Sequence, residues 1–350
     1  MTSKKQNIKK DNRQGALFGE DFFDDEEISA TASTDDNNEQ MPDIEFIIPK
    51  NKIHKKEEEK ETPAIATPKP KQRLRFMSFG SGSSGNCAYF GNNDGGILID
   101  AGVDSDFVFK SLLKNGITPE MVKGIILTHD HGDHVRYAYT IARRYKHIRI
   151  YCTPRLMNGL LRRHNISRRI KEYHENIFKE ITFKIADFAI TAFDTSHDGT
   201  DNMGFMIEYD NQKFVVATDM GIINARTAFY TAQANYLMIE SNYDAKMLNE
   251  GSYPEYLKQR IRKDTGHLDN VVAASYVADI YSSAMKYLFL CHLSNDNNTP
   301  EIATHAMQTA LEGKGVSVGD GSNAIDMRNR DIQLYALPRY DCSPLFVLTD

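Results

Sequence analysis

From Arg73 onward, short apolar runs alternate with polar turns, a pattern typical of a mixed α/β domain. The predicted strands are Leu74–Phe79, Cys87–Gly91, Ile97–Ile99, Gly124–Leu127, Ile148–Cys152, Ile181–Ile185, Ala189–Phe193, Gly204–Tyr209, Lys213–Thr218, Tyr236–Ile239 and Tyr287–Cys291. The predicted helices are Asp106–Asn115, Val135–Tyr145, Pro154–His164, Tyr253–Lys263, Asn270–Ser282 and Pro300–Glu312. Strands dominate the first part of this region and helices are interspersed, which favours a layered α/β sandwich.

Residues 1–72 show no such pattern. They carry 12 Lys/Arg and 16 Asp/Glu, arranged as a basic start, an acidic block at Glu20–Glu45 and a Pro-rich end at Thr62–Pro70. Segments with few apolar residues and blocks of like charge cannot bury enough surface to offset the entropy of ordering. We therefore predict a disordered tail over residues 1–72 and one folded domain over residues 73–350.

One apolar island, Gln14–Phe23, interrupts this tail. Its Gln-x-x-Leu-Phe pattern at residues 14–18 resembles the pentapeptide by which many bacterial replication and repair proteins dock on the DNA sliding clamp. Only three anchor residues carry this resemblance. Docking on the clamp, docking on another partner and no function all stay open for this segment.

Composition limits the class of protein. The 350 residues contain four scattered cysteines without paired spacing and carry a net charge of −6. No apolar stretch has the form of a signal peptide or the length of a membrane span. These features predict a reduced protein of the cytoplasm.

The segment Thr128–His134 carries the clearest chemistry. It places three histidines and two aspartates, His129, Asp130, His131, Asp133 and His134, directly after the apolar run that ends at Leu127. Neutral imidazole and carboxylate are both good ligands for divalent cations. We predict a site for two metal ions here, with Gly132 allowing a tight turn.

Further His and Asp residues follow other predicted strands: Asp100, His197, Asp219 and His292. Taken one at a time, each could be an ordinary cap or turn residue. Their shared position after strands, together with the cluster at His129–His134, predicts one common rim.

The ordered set Asp100, His129-x-His131-x-Asp133-His134, His197, Asp219 and His292 resembles the five motifs of the metallo-β-lactamase fold hydrolases. The resemblance covers residues 73 to about 300 and implies a four-layered αββα sandwich with a dinuclear site on one edge. It further implies that His129, His131 and His197 hold one metal and that Asp133, His134 and His292 hold the other. By the same resemblance, Asp219 bridges both metals and Asp100 orients the site from behind the ligands.

Four further segments resemble the WalJ/YycJ-like branch, whose members are bacterial DNA exonucleases or related phosphodiesterases: Ser81–Asn86, Glu240–Asp244, Gly266–Asn270 and His292–Asn298. The resemblance implies a dinuclear phosphodiesterase using Zn²⁺ or Mn²⁺, most simply a DNA exonuclease of DNA repair. The alternatives are an RNA-processing phosphodiesterase, a glyoxalase II-like thioester hydrolase and a non-catalytic DNA-binding scaffold. Only 72 residues separate Asp219 from His292, which leaves no room for the large inserted domain of RNA-cleaving β-CASP enzymes.

His267 is the candidate proton donor to the leaving oxygen, because a histidine near neutral pKa can donate a proton. In the tRNA-processing phosphodiesterases that this chain resembles, a related loop histidine has this role. Asp133 is the second candidate catalytic residue. The alternative for His267 is that it only precedes a helix capped by Asp269 or Asn270.

Independent support for a nucleic-acid substrate comes from residues 135–171, which contain eleven Lys/Arg and no Asp/Glu. Such a segment predicts a basic surface for phosphate. Its arginine pairs are Arg143, Arg144, Arg162, Arg163, Arg168 and Arg169, and the interleaved tyrosines could stack on bases. The glycine-rich loop Gly80–Asn86 either cradles phosphate with its backbone N–H groups or only turns the chain.

Overall fold

The computed structural model describes residues 72–322 and 329–348. Residues 1–71 of the predicted tail lie outside this range. The possible docking motif at residues 14–18 is among them.

Within the described residues, the fifteen strands are β1 (Leu74–Gly80), β2 (Cys87–Gly91), β3 (Gly96–Ile99), β4 (Val122–Ile126), β5 (Arg149–Cys152), β6 (His174–Asn176), β7 (Phe183–Ile185), β8 (Phe188–Asp194), β9 (Met203–Tyr209), β10 (Gln212–Ala217), β11 (Tyr236–Glu240), β12 (Tyr287–Cys291), β13 (Val318–Asp320), β14 (Ile332–Ala336) and β15 (Phe346–Leu348). The nine α-helices of the same residues are α1 (Ser105–Lys114), α2 (Gly132–Val135), α3 (Ala138–Arg144), α4 (Pro154–Arg163), α5 (Ala225–Thr231), α6 (Ala245–Glu250), α7 (Glu255–Ile261), α8 (Asn270–Ile280) and α9 (Pro300–Glu312). Two 3₁₀ helices lie at Pro119–Met121 and Arg168–Tyr173.

The strands of the described residues form two sheets. Seven strands follow the order β15-β1-β2-β3-β4-β5-β6, and eight follow the order β13-β14-β12-β11-β10-β9-β8-β7. Aromatic rings join the sheets face to face: the ring of Phe76 in β1 lies 5.0 Å from that of Phe214 in β10 and 4.5 Å from that of Phe289 in β12. Apolar side chains from both inner faces therefore form one core.

Helices cover both outer faces. Val108 of α1 and Leu160 of α4 are fully buried in the core cluster of the seven-stranded sheet. Val277 of α8 and Leu311 of α9 are fully buried against the eight-stranded sheet. These layers confirm the predicted α/β sandwich of four layers.

Parallel pairing brings several strand ends to one edge. In the first sheet β3 pairs in parallel with β4, and in the second β10, β11 and β12 pair in parallel with one another. Parallel strands point the same way, so the residues that follow them meet at the same edge of the sheet. Asp100, His129, Asp219, Glu240 and His292 are placed on a common rim in this way.

The predicted helix Val135–Tyr145 is wrong in its continuity, because the chain forms α2 and α3 with a break between them. The N–H of Tyr137 donates to Ala101 O at 2.8 Å, and Asp133 O accepts from Asn86 N at 2.8 Å. In a continuous helix the N–H of Tyr137 would donate to the C=O of Asp133, but both groups are bonded to other partners. Gly132 lies in the predicted tight turn, which His134 N closes by donating to His131 O at 3.0 Å, but it has no positive φ, so the turn does not use the conformational freedom of glycine.

The remaining differences are small. The strand predicted at Ile181–Ile185 is shorter, Phe183–Ile185, since Glu180 beside it has a φ of 66°. The sequence did not indicate β6, β13, β14, β15, α5 or α6, all of which have seven residues or fewer. Among residues 72–322 and 329–348, none of the helices combines the length and the apolar character that a membrane crossing requires.

Candidate metal centre

Three histidines from two loops form the first group at the rim. One ring nitrogen each from His129, His131 and His197 lies within 4.8 Å of the others. His197 Nε2 is 3.3 Å from His131 Nδ1, and His197 Nδ1 contacts Gly266 O at 2.9 Å. Because Nδ1 of His197 faces the backbone carbonyl, Nε2 is the nitrogen turned toward the other two rings.

Asp133, His134 and His292 form the second group. Asp133 Oδ2 is 3.5 Å from His134 Nε2 and 3.6 Å from His292 Nε2. His134 is fully buried and His292 is 3% exposed, whereas Asp133 retains 18% exposure of its side chain. The group is therefore closed on the protein side and open at Asp133.

Asp219 lies between the two groups. Its Oδ2 is 3.9 Å from His129 Nε2 and 3.8 Å from His197 Nε2, and its Oδ1 is 3.5 Å from His134 Nε2. One buried carboxylate therefore reaches both groups, which is the position the sequence predicted for a bridging ligand. The structure thus brings together all seven residues predicted as ligands.

The donor set fits a divalent cation. His129 Nε2 and His292 Nε2 are buried and have no hydrogen-bond partner among the described residues. A buried polar atom without a partner costs about 1–3 kcal/mol. Coordination through these nitrogens would remove that cost, and imidazole with carboxylate is a set that zinc and manganese both accept.

The pKa values favour cation binding at the first group and at the bridge. Burial and the neighbouring His134 hold the pKa of His129 well below its usual value, and burial lowers the pKa of His197 to about 4. Both rings are therefore neutral near pH 7. Burial alone would raise the pKa of Asp219, but His292 and His134 outweigh it and hold that pKa well below its usual value. The bridge is thus ionised.

Three rim residues have strained backbones. Asp100, Asp219 and His292 have φ of 60°, 50° and 54°, in the left-handed region that non-glycine residues rarely adopt. Asp100 and His292 directly follow β3 and β12. Asp219 follows β10 after one intervening residue, Thr218. Strain of this kind costs of order 1–3 kcal/mol per residue and is concentrated at functional sites.

Asp100 lies behind the second group. Its Oδ2 is 2.7 Å from His134 Nδ1, and its Oδ1 accepts from Thr128 N at 2.8 Å. This contact leaves His134 Nε2 for the centre. Asn86 Nδ2 adds a hydrogen bond of 3.1 Å to Asp133 Oδ2.

Asp198 contacts a histidine of the first group as Asp100 contacts His134 of the second. The sequence did not identify Asp198 as a site residue. Its Oδ1 lies 3.2 Å from His131 Nε2, while Arg260 holds its Oδ2 through Nε at 2.9 Å and Nη2 at 2.7 Å. His131 therefore presents Nδ1 to the centre. The signal was weak because an aspartate beside a predicted ligand has many ordinary roles.

His267 lies over both groups. Its ring centroid is 5.1 Å from that of His197 and 5.1 Å from that of His292. Its Nδ1 is 2.7 Å from Oε1 of Glu240, a fully buried carboxylate at the end of β11. Asp269 caps α8, as the alternative for His267 expected, so the candidate catalytic role rests on the position of the ring and its contact with Glu240. Glu240 was missed as a site residue, although it opens one of the quoted motifs.

The glycine-rich loop braces the centre through hydrogen bonds within the protein. Gly82 N donates to Asn86 Oδ1 at 2.8 Å and Gly85 N donates to Gly82 O at 2.9 Å. Ser81 Oγ accepts from His292 N at 2.9 Å. Of the two interpretations left open by the sequence, these bonds favour the structural one.

The six arginines predicted to bind nucleic acid are all exposed: Arg143, Arg144, Arg162, Arg163, Arg168 and Arg169. Three of them pair with carboxylates, Arg144 with Asp106, Arg163 with Asp130 and Arg169 with Glu172. Arg163 is the one tied to the rim, because its Nη2 also donates to Asp198 O at 3.3 Å.

The tyrosines interleaved with these arginines are not free to stack on bases. Tyr137, Tyr139, Tyr145 and Tyr151 are half-buried and pack against the core. The ring of Tyr145, for example, lies 4.4 Å from that of Phe109. This segment therefore offers charge rather than open aromatic faces.

Comparison with known proteins adds to this geometry. The sequence profile described as "Beta-lactamase superfamily domain" matches residues 96–292. The chain is 32% identical over 248 residues to exodeoxyribonuclease YycJ of Bacillus anthracis, covering 71% of this chain and 92% of that protein. It is 31% identical over 249 residues to exodeoxyribonuclease WalJ of Streptococcus pneumoniae serotype 2, covering 70% and 91%.

Among solved structures, the metallo-β-lactamase fold protein YhfI from Bacillus subtilis superposes with a TM-score of 0.54 at 14% identity, covering 78% of this chain and 99% of that one. This likeness concerns the fold alone. Together with the matched profile and the relatives above 30% identity, it agrees with the layers and the rim described here. The chain belongs to the β-lactamase superfamily, as a metallo-β-lactamase fold protein of the WalJ/YycJ-like branch.

Proposed function

We propose that this protein is a metal-dependent DNA exonuclease with two divalent ions, zinc or manganese. The observation that carries the proposal is the complete donor set on one rim, with Asp219 in reach of both groups. The exodeoxyribonucleases YycJ and WalJ, over 90% of whose length the chain covers, support DNA as the substrate. A non-catalytic scaffold would have no need for this set.

In this proposal, His129, His131 and His197 hold one ion, Asp133, His134 and His292 hold the other, and Asp219 bridges them. Bound ions would lower the pKa of an attacking water and polarise a phosphate oxygen. His131, at 21% side-chain exposure, and Asp133, at 18%, are the ligands open to the substrate side. The pKa of Asp133 lies below the usual value because His134 and His292 outweigh the effect of burial, so its carboxylate is ionised at neutral pH, the form that binds a cation.

His267 would protonate the leaving oxygen. Nδ1 of His267 lies 2.7 Å from Oε1 of Glu240, so Nε2 is the ring nitrogen available to the substrate. Glu240 is itself fixed by Met220 N, which donates to its Oε2 at 2.7 Å. The contact with Glu240 orients the ring so that Nε2 can reach a leaving oxygen, which is the geometry that a proton donor requires.

The basic segment at residues 135–171 would bind the phosphate backbone. Within the described residues, Arg143, Arg162 and Arg168 have no carboxylate within ion-pair distance, unlike their three neighbours. These unpaired charges are the ones available to phosphate. Charge neutralisation of this type is independent of sequence and weakens with salt.

The decisive experiment uses 5′-labelled and 3′-labelled single- and double-stranded DNA and RNA, incubated with the protein and either manganese or zinc. Asp219→Ala is the blank, because it removes the bridge while the fold remains. We expect stepwise loss of nucleotides from DNA and none from the blank. Faster cleavage of RNA would favour the RNA-processing alternative, and hydrolysis of a glutathione thioester with no cleavage of DNA would favour the thioester alternative.

A second experiment tests the basic segment. Arg162→Glu with Arg168→Glu should weaken DNA binding more at low salt than at high salt and flatten the salt dependence, by about 0.9 in log–log slope per lost contact on duplex DNA. Lys314→Glu on the loop after α9 is the matched control, since Lys314 pairs with Asp279 at 3.0 Å. Equal losses in both variants, or none in either, would remove this surface from the proposal.

A further inference from the structure

A short turn, residues 293–295, follows His292 and forms part of the rim. Arg339 holds this turn from outside: its Nε and Nη2 donate to Leu293 O at 3.1 and 2.9 Å, and its Nη1 donates to Asn295 Oδ1 at 2.8 Å. Five guanidinium N–H groups in a rigid fork suit this kind of multiple contact. The position of the turn relative to His292 is therefore fixed.

Tyr340, next in the chain, is exposed over 63% of its surface yet is held in place. Its hydroxyl donates to Asn295 Oδ1 at 3.2 Å, and the guanidinium carbon of Arg339 lies 5.7 Å from its ring centroid. A ring anchored at its hydroxyl and flanked by a cation loses little entropy when a flat partner stacks on it.

This ring is held by the same turn that leads away from the metal ligand His292. Asn295, which binds the Tyr340 hydroxyl, is three residues from His292, so their Cα atoms are at most roughly 10 Å apart. Arg339 also packs against the loop that braces the second group: a Cβ at Gly82 would lie 3.0 Å from Arg339 Cγ. The turn that follows His292 thus links the ring to the centre, and a strand whose phosphodiester enters the centre can extend to the ring.

We propose that Tyr340 is a stacking platform for an unpaired nucleobase of the DNA strand whose phosphodiester enters the metal centre, with Arg339 adding positive charge beside it. The proposal rests on the nuclease function above and goes beyond it by naming the contact with the base. Every base has a π-face, so this contact is independent of sequence, as an exonuclease requires. The tyrosines of residues 135–171 cannot do this because their rings are packed against the core.

The test compares Tyr340→Ala with Tyr340→Phe in the full-length, metal-loaded protein. Loss of one base–aromatic stack corresponds to about 5- to 150-fold in affinity, so Tyr340→Ala should raise KM for single-stranded DNA by a factor in that range, with a smaller change in kcat. Tyr340→Phe keeps the ring and should stay near the parent. Metal content and Tm should be unchanged in both variants.

An oligonucleotide that is abasic at its terminal nucleotides isolates the base. On this substrate the parent and Tyr340→Ala should have the same KM, since the backbone is unchanged and no base is present. An equal loss on the abasic and the normal strand would overturn the proposal, because it would show that Tyr340 acts only by supporting the turn.

Phe229 offers a matched control, being an exposed ring with Arg226 5.3 Å from its centroid on α5. Arg226 binds Glu180, not the turn after His292. Phe229→Ala should leave KM unchanged, and a loss as large as that of Tyr340→Ala would overturn the assignment of a specific platform.

A binding readout separates this proposal from the nuclease proposal. A strand with 2-aminopurine at the terminal nucleotide should be quenched on binding to the parent and much less on binding to Tyr340→Ala. If the parent quenches the probe but cleaves no DNA, the nuclease function fails while the platform stands. If the parent cleaves DNA and both proteins quench equally, the platform fails while the nuclease function stands; a parent that neither quenches the probe nor cleaves DNA overturns both.

Discussion

Replacing Gly102 with alanine should displace Asp133 and disrupt the second half of the metal centre. Gly102 follows Asp100 by two residues, on the strand β3 side of the rim. A Cβ built on it would lie 1.5 Å from Asp133 O and 2.3 Å from the carbonyl carbon. Both atoms belong to the backbone, so no rotation of a side chain can relieve the clash.

The size of the shift follows from these distances. Carbon and oxygen atoms in ordinary contact are about 3.5 Å apart, so the Asp133 carbonyl must move by about 2 Å. Metal ligands tolerate deviations of only about 0.2 Å. The same Cβ would also lie 2.8 Å from Asn86 N, which donates to Asp133 O, so the loop that braces Asp133 is forced away together with it.

We expect Gly102→Ala to lose about one metal ion per chain and all measurable nuclease activity. The cost of overpacking should be about 1–3 kcal/mol of unfolding free energy, so the protein should still fold. Metal content by mass spectrometry, Tm and nuclease rate are the measurements. Gly132→Ala is the matched control beside Asp133, because its Cβ would meet only His164 Cε1 at an ordinary 3.6 Å. Full metal content and activity in Gly102→Ala would refute the reasoning, as would equal damage in Gly132→Ala.

Three further substitutions test single contacts. Asp100→Asn should lower metal affinity 10- to 100-fold, since the buried carboxylate 2.7 Å from His134 Nδ1 sets which nitrogen faces the metal; chelator competition measures this, and unchanged affinity would contradict it. Asp198→Asn should act in the same direction through His131 but toward the lower end of that range, because its side chain is 29% exposed. His267→Ala should lower turnover about 10²- to 10⁴-fold with both ions retained, and a rate within twofold of the parent would exclude it as proton donor.

The sequence could predict an α/β sandwich and a shared rim of His and Asp residues because both depend on local patterns, whereas the four layers and the ligand set came from the family resemblance. Strands such as β3 and β12 are continuous apolar runs, and a run of that kind is recognisable without its neighbours. His129 and Asp219 follow such runs, and parallel pairing brings the ends of runs together. The position of a residue after a strand is thus enough to place it on the rim.

Residues that act through contacts distant in sequence could not be found in this way. Glu240 contacts His267 across 27 positions, and Asp198 is held by Arg260 across 62. The break between α2 and α3 likewise depends on Ala101 O, which takes the N–H of Tyr137. Each effect needs the folded chain, because nothing in the neighbouring sequence marks the partner.

The ligand motif therefore identifies the metal centre without being sufficient to build it. Asp133 is placed by two segments that carry no ligand: Asn86 donates to its carbonyl, and Gly102 leaves the space that this carbonyl occupies. A related chain that keeps all seven predicted ligands but has a larger residue at the position of Gly102 should fail to form the second half of the centre. The identity of the residue at this position is for that reason a stricter test of an intact centre than the histidines themselves.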